Sequence, residues 1–147
     1  MRINMFSKAC EYGIRATIYI SHKSYEGIRV SLKDIAAEIN SPEAFTAKIL
    51  QKLAKNNVVS STKGAAGGFE IEKHKLASIK LADIVNAIDG DTIYNVCGLG
   101  LSVCDDNHPC PVHYKFIAIR DELRQMLEKW SQALQARATP SNAEPGT

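Results

Sequence analysis

Apolar residues recur three and four positions apart from the start of the chain. Phe6, Ala9, Tyr12, Gly13, Ala16 and Ile20 share one face of a helix predicted over Met5 to about His22. Tyr25-Glu26-Gly27 breaks that period. Ser31, with Asp34 three places on, has the form of a capping box with Asp in place of Glu, and a short helix follows through Ile35, Ala36 and Ile39. Asn40-Ser41-Pro42-Glu43 is a second start signal, with Ser41 expected as N-cap and Pro42 at the first helical position. The helix it opens is expected to reach about Lys55 and to bury Phe45, Ile49, Leu50 and Leu53.

The period then changes. Val58-Val59-Ser60-Ser61 and Phe69-Glu70-Ile71 read as brief strands around the turn Lys63-Gly64-Ala65-Ala66-Gly67-Gly68, so a hairpin is predicted. The glycine run lacks the Gly-Lys-Ser/Thr ending of a P-loop and opens no helix, which argues against a nucleotide cradle. A further amphipathic helix covers Ile79 to Asp89 and ends at Gly90 as a C-cap. A cysteine-bearing loop occupies roughly Asp91 to Cys110. Pro111 opens the longest helix, expected to reach about Arg137, in which Phe116, Ile119, Leu123, Met126, Trp130 and Ala133 alternate steps of three and four. Such a stripe serves a helix paired with its counterpart in a second copy, the reading adopted here, or a core within one subunit. The tail from Thr139 to Thr147 is small, polar and proline-containing, and is expected to be disordered.

Two short helices joined by a tight turn and followed by a hairpin predict a mainly α protein with a small β-hairpin wing. The expected organisation is a winged helix-turn-helix over residues 1–76 and a linking helix with cysteine loop over 77–110. A long C-terminal dimerisation helix over 111–137 and a tail over 138–147 complete it.

In a helix-turn-helix the second helix enters the major groove with its N-terminal residues nearest the base edges. Here those are Glu43, Ala44, Thr46, Ala47 and Lys48, with Lys52 and Lys55 continuing the helix and Lys63 at the wing. Ser31 and Ser41 sit at helix N-termini, which favour phosphate. Double-stranded DNA is therefore the expected partner. The net charge of +2 means that any basic surface is local rather than chain-wide. His22, His74, His108 and His113 form no recognisable triad and no paired carboxylates mark a catalytic site, so no enzyme is expected.

No apolar run approaches the about 20 residues needed to span a bilayer, and the N-terminus lacks a secretory pattern. A cytoplasmic protein without membrane association is expected. In that reducing compartment clustered cysteines read as metal or redox chemistry rather than disulfides. Three of the four fall in the pattern Cys97-x6-Cys104-x5-Cys110, with His113 following. Thiolates at this density suit an iron–sulfur cluster or zinc. Zinc sites usually pair ligands two to four residues apart, and only Cys110 and His113 come that close. Three buried, unliganded cysteines would need more apolar neighbours than the loop from Asp91 to Cys110 provides. Cys10 lies apart, on the apolar face of the first helix, and reads as a small hydrophobe.

The sequence resembles the IscR/NsrR family of winged-helix iron–sulfur transcription regulators, which also includes the cluster-free cysteine-metabolism regulator CymR. The resemblance rests on Ser7-Lys8 with Tyr12, on Leu53 to Ser61, and on Lys63-Gly64 with Gly67-Gly68-Phe69. It continues through Leu81-Ala82-Asp83-Ile84-Val85-Asn86-Ala87-Ile88-Asp89-Gly90 and the three cysteines. It implies a homodimer joined by the C-terminal helix and a 2Fe–2S or 4Fe–4S cluster on Cys97, Cys104 and Cys110, with 2Fe–2S favoured. His113 falls where a histidine completes the 2Fe–2S site in some members. In others an acidic residue of the partner's first helix does so, and Glu11 is the candidate here. The chain departs from the family in a first cysteine gap one residue longer, in Lys63 and Ala65-Ala66 at the wing, in Ala47-Lys48 on the recognition helix, and in the extra Cys10. A thiol–disulfide switch, a partner-protein switch, and a zinc-stabilised interaction module are the alternatives to a cluster sensor.

Overall fold

The computed structural model describes residues 6–90, 107, 109 and 111–129. Its elements are α1 (Lys8–Tyr25), α2 (Leu32–Ile39), α3 (Glu43–Lys55), β1 (Ser60–Thr62), β2 (Gly68–Glu70), α4 (Lys73–Leu76), α5 (Leu81–Ile88) and α6 (His113–Lys129). Cys97, Cys104, Cys110, Trp130, Ala133 and the tail lie outside the described residues.

Helix α1 starts at Lys8 because Ser7 caps it, its hydroxyl accepting the Cys10 amide at 3.0 Å. It runs a turn beyond the predicted end at His22 because tertiary contacts hold that turn. Ser24 is buried, and its hydroxyl accepts the Ile71 amide at 2.9 Å. Three helices then close in the same way, each on a left-handed residue whose amide and the next one reach back into the last turn. For α1 the residue is Gly27, with Gly27 and Ile28 donating to Ser24 and Lys23 carbonyls. For α3 it is Asn57, with Asn57 and Val58 donating to Ala54 and Leu53.

For α2 the closing residue is Asn40, with Asn40 and Ser41 donating to Ala37 and Ala36. This corrects the expected start of α3. Ser41 completes the end of α2 instead of capping α3, and Pro42, not Ser41, occupies the cap position, with no side-chain cap bond. The Ser31 cap of α2 is present, its hydroxyl accepting the Asp34 amide at 3.1 Å.

The hairpin pairs Ser60 with Glu70, Ser61 with Phe69 and Thr62 with Gly68. Its first strand begins later than the predicted Val58, since Val58 and Val59 drop into the core as the chain leaves α3. Val30 forms an antiparallel bridge to Phe69, with both backbone hydrogen bonds made, at 3.1 and 2.8 Å. A side chain at Gly68 would run into the Val30 carbonyl, so glycine is required for this approach. The one-turn α4 has no counterpart among the predicted elements.

Helix α5 opens where the Asp83 carboxylate accepts the Lys80 amide at 2.9 Å, and Gly90 follows its end with φ +69°. It packs on α1 and α3, so the core built from Ile20, Ile35, Ile49, Leu50 and Leu53 continues through Ile84 and Val85. Gly13 allows the α1–α5 approach, as a side chain there would collide with Ile88.

Helix α6 begins at His113, two residues after the predicted Pro111, and lies against α5. The predicted stripe is not one buried face. Leu123 packs on the core, whereas Ile119 and Met126 are 57% and 46% exposed; Leu127, outside the stripe, is fully buried. At 3.6 residues per turn, positions 123 and 127 share one side of the helix and 119 and 126 an adjoining side. Among the described residues, no helix is long and apolar enough to cross a membrane.

Candidate nucleic-acid interface

Helix α3 is anchored by its inward side. Ile49, Leu50 and Leu53 are buried, and Phe45 meets the Tyr12 ring edge to face at 5.7 Å. That leaves Glu43, Ala44, Lys48, Lys52 and Lys55 exposed and Ala47 half-buried. Lys52 and Lys55 fall in the last turn, where cations complement the helix dipole.

Two residues expected at this surface point elsewhere. Thr46 is fully buried, and its hydroxyl donates at 2.9 Å to the Pro42 carbonyl, which also accepts the Thr46 amide. Ser41 keeps its hydroxyl oxygen buried without a hydrogen-bond partner, because the residue is committed to the end of α2. Ser31 is exposed but its oxygen is engaged by the Asp34 amide.

Gln51 is exposed on the same outer side, one turn beyond Lys48 and Ala47, and the period of three and four could have singled it out. Its amide has the donor–acceptor pair that matches an adenine edge. Lys63 is exposed where the wing turns, next to Gly64 with φ +103°. Arg29, also unforeseen, reaches the wing from the segment between α1 and α2, with its guanidinium 3.0 Å from Glu70 and 3.4 Å from the Ala66 carbonyl.

At the C-terminal end of α5, Asp89 accepts the Ser7 hydroxyl at 2.5 Å and the Ser7 amide at 3.3 Å. This ties the start of α1 to the end of α5, from which the chain departs toward the cysteine loop. The three cysteines of that loop are outside the described residues; His113 and Glu11 are within them. His113 is buried at the first position of α6, its ring edge on to Tyr114 at 5.2 Å. Glu11 is half-buried on α1 and borders a groove of about 520 Å³ with Lys8, Tyr12, Arg15 and Asn40. Among the described residues, no three His, Cys, Asp or Glu side chains converge to hold a metal ion.

A recognition helix presented outward beside a glycine-turned hairpin, both seated on a small helical core, defines a winged-helix DNA-binding protein. The chain belongs to the Rrf2 family, whose model, described as an iron-dependent transcriptional regulator, matches residues 6–134. It is similar to a protein named as an HTH-type transcriptional regulator in Mycobacterium tuberculosis, 30% identical over 132 residues, covering 89% of this chain and 80% of that one. It is also similar to the HTH-type transcriptional regulator IscR of Escherichia coli, 26% identical over 116 residues, covering 79% of this chain and 70% of that one. The structure of CymR, the global cysteine regulator of B. subtilis, superposes with a TM-score of 0.70 at 25% identity, over 95% of this chain and 98% of that one. The protein is thus a transcription regulator of the helix-turn-helix type and not an enzyme.

Proposed function

We propose that the chain is a homodimeric, cytoplasmic, sequence-specific DNA-binding regulator that reports iron–sulfur, redox or nitric-oxide status. On this reading Cys97, Cys104 and Cys110 hold an iron–sulfur cluster, 2Fe–2S in preference to 4Fe–4S. His113, or Glu11 of a second copy, is the fourth donor. The exposed outer side of α3 supports the DNA-binding half: Glu43, Ala44, Ala47 and Lys48 at the base edges, with Lys52, Ser31 and Lys63 toward phosphate. Glu43 is suited to a cytosine amine, since a carboxylate repels phosphate.

The donor set supports the sensing half. Three thiols follow α5 closely in sequence, and a histidine that the fold buries opens α6. Soft sulfur ligands with one nitrogen or oxygen donor fit a cluster. When bound, such a cluster supplies a group that gains, loses or exchanges electrons and ligands. The residues of the chain do the rest: Asp89 and Ser7 fix the near end of the loop to α1, and α5 carries that position to α3, on which it packs. A change in loop shape then becomes a difference in DNA affinity between states, as linkage requires.

The test is anaerobic purification with iron, sulfide and zinc analysis and a visible spectrum, for wild type and Cys104→Ala. Operator binding by the apo and reconstituted forms is then compared. Iron and sulfide that disappear in the variant, with unequal operator affinities, are the expected result. A colourless, iron-free protein that resists reconstitution favours a cluster-free regulator working through a thiol or partner-protein switch, to which the likeness to CymR lends support. Stoichiometric zinc with sequence-insensitive DNA binding points instead to the zinc-stabilised module.

A further inference from the structure

The wing is a hairpin of three residue pairs, and a lone two-stranded hairpin is marginal in water. Its backbone is tied to the helical body on the β2 side, by the bridge between Val30 and Phe69 and by the Ile71 amide on the Ser24 hydroxyl. Lys63 lies at the far end, beyond β1. The turn that carries Lys63 lies beyond these anchors and beyond the buried Val58 and Val59, so any tilt of the hairpin moves its cation.

Arg29, next to the bridge, spans this freedom. Nη2 is 3.0 Å from Glu70 Oε1 in β2, and Nη1 donates at 3.4 Å to the Ala66 carbonyl in the turn. The planar guanidinium fork thus grips the strand and the turn together, which the single ammonium of a lysine cannot reproduce. Glu70 also neutralises Arg29 locally, leaving Lys63 as the cation of the wing turn.

We propose that Arg29 is a positioning residue for DNA binding. It latches the wing through Glu70 and Ala66, so that Lys63 is set in register with the exposed side of α3. The proposal rests on the reading of α3 and the wing as the DNA-binding surface.

The test uses the full-length chain and a fluorescein-labelled duplex that wild type has enriched from a random-sequence pool. Anisotropy gives Kd over a salt series. Arg29→Ala and Glu70→Ala are each expected to weaken binding by up to about fivefold, the ceiling set by a half-exposed ion pair. Neither should change the salt slope, because no phosphate contact is lost. Arg29→Lys should behave like Arg29→Ala, because one ammonium cannot hold the Glu70 carboxylate and the Ala66 carbonyl together. Melting temperatures close to wild type keep these effects separate from unfolding.

If Glu70→Ala tightens binding while Arg29→Ala lowers the salt slope by about one phosphate, Arg29 is a direct phosphate contact and the latch is overturned. If both variants bind like wild type while Lys48→Ala and Lys63→Ala weaken binding, the latch fails and the DNA-binding surface stands. If Lys48→Ala and Lys63→Ala also bind like wild type, the surface itself is wrong and the latch falls with it.

Discussion

The Cys10 thiol lies fully buried in the core. Burial first, and the neighbouring Asp89 carboxylate second, push its pKa from 9.0 up to about 12. A thiol held protonated is a poor nucleophile, so native Cys10 should resist iodoacetamide at mildly alkaline pH and react only after denaturation, as peptide mass mapping would show. The linkage sign follows from the raised value. The stabilising contribution is complete below pH 9.0 and fades toward pH 12, because the unfolded thiol ionises over that range while the native one does not. Cys10→Ala should therefore lose stability less steeply than wild type over that interval, measured by chemical denaturation. The apolar face of α1 already marked Cys10 as a small core residue. Its link to Asp89 was not legible, since Asp89 follows the end of α5, far from Cys10 in sequence.

At the scale of an element, two serines that looked alike in sequence have opposite roles. Ser31 makes a cap bond to the Asp34 amide, whereas Ser41 belongs to the end of α2 and its hydroxyl is buried without a partner. Ser31→Ala should cost about 1 kcal/mol of stability. Ser41→Ala should be close to neutral, since it deletes a buried polar atom that makes no hydrogen bond. Urea denaturation of the two variants checks the contrast; equal losses would restore Ser41 as a cap. The helix periods of α1, α2, α3 and α5 were readable because amphipathic spacing survives without tertiary information. Their ends were less so. Whether Asn40-Ser41 closes one helix or opens the next depends on which carbonyls those amides reach in the folded chain.

For the whole molecule, α6 carries two kinds of surface. Leu123 and Leu127 join the core, while Ile119 and Met126 stand exposed on the adjoining side. On the dimer reading those two residues meet a second copy. Replacing both, Ile119→Asp with Met126→Asp, should yield a folded monomer by sedimentation and weaken operator binding, because the two half-sites lose their coupling. A dimer of unchanged stability would remove α6 from the interface.

The sequence alone determined the longer helices, the hairpin, the winged-helix class and the three-thiol pattern, though not the one-turn α4, because hydrophobic period, turn residues and ligand spacing are local properties of a chain. The folded structure decided that Thr46 turns inward to serve its own helix. It also decided that Val58 and Val59 fill the core, that Ser7 binds Asp89 across 82 positions, and that Arg29 grips the wing. The Val58, Val59, Ser7 and Arg29 placements depend on partners distant in sequence that exist only once the helices have packed, and that packing also buries Thr46 against its own first turn.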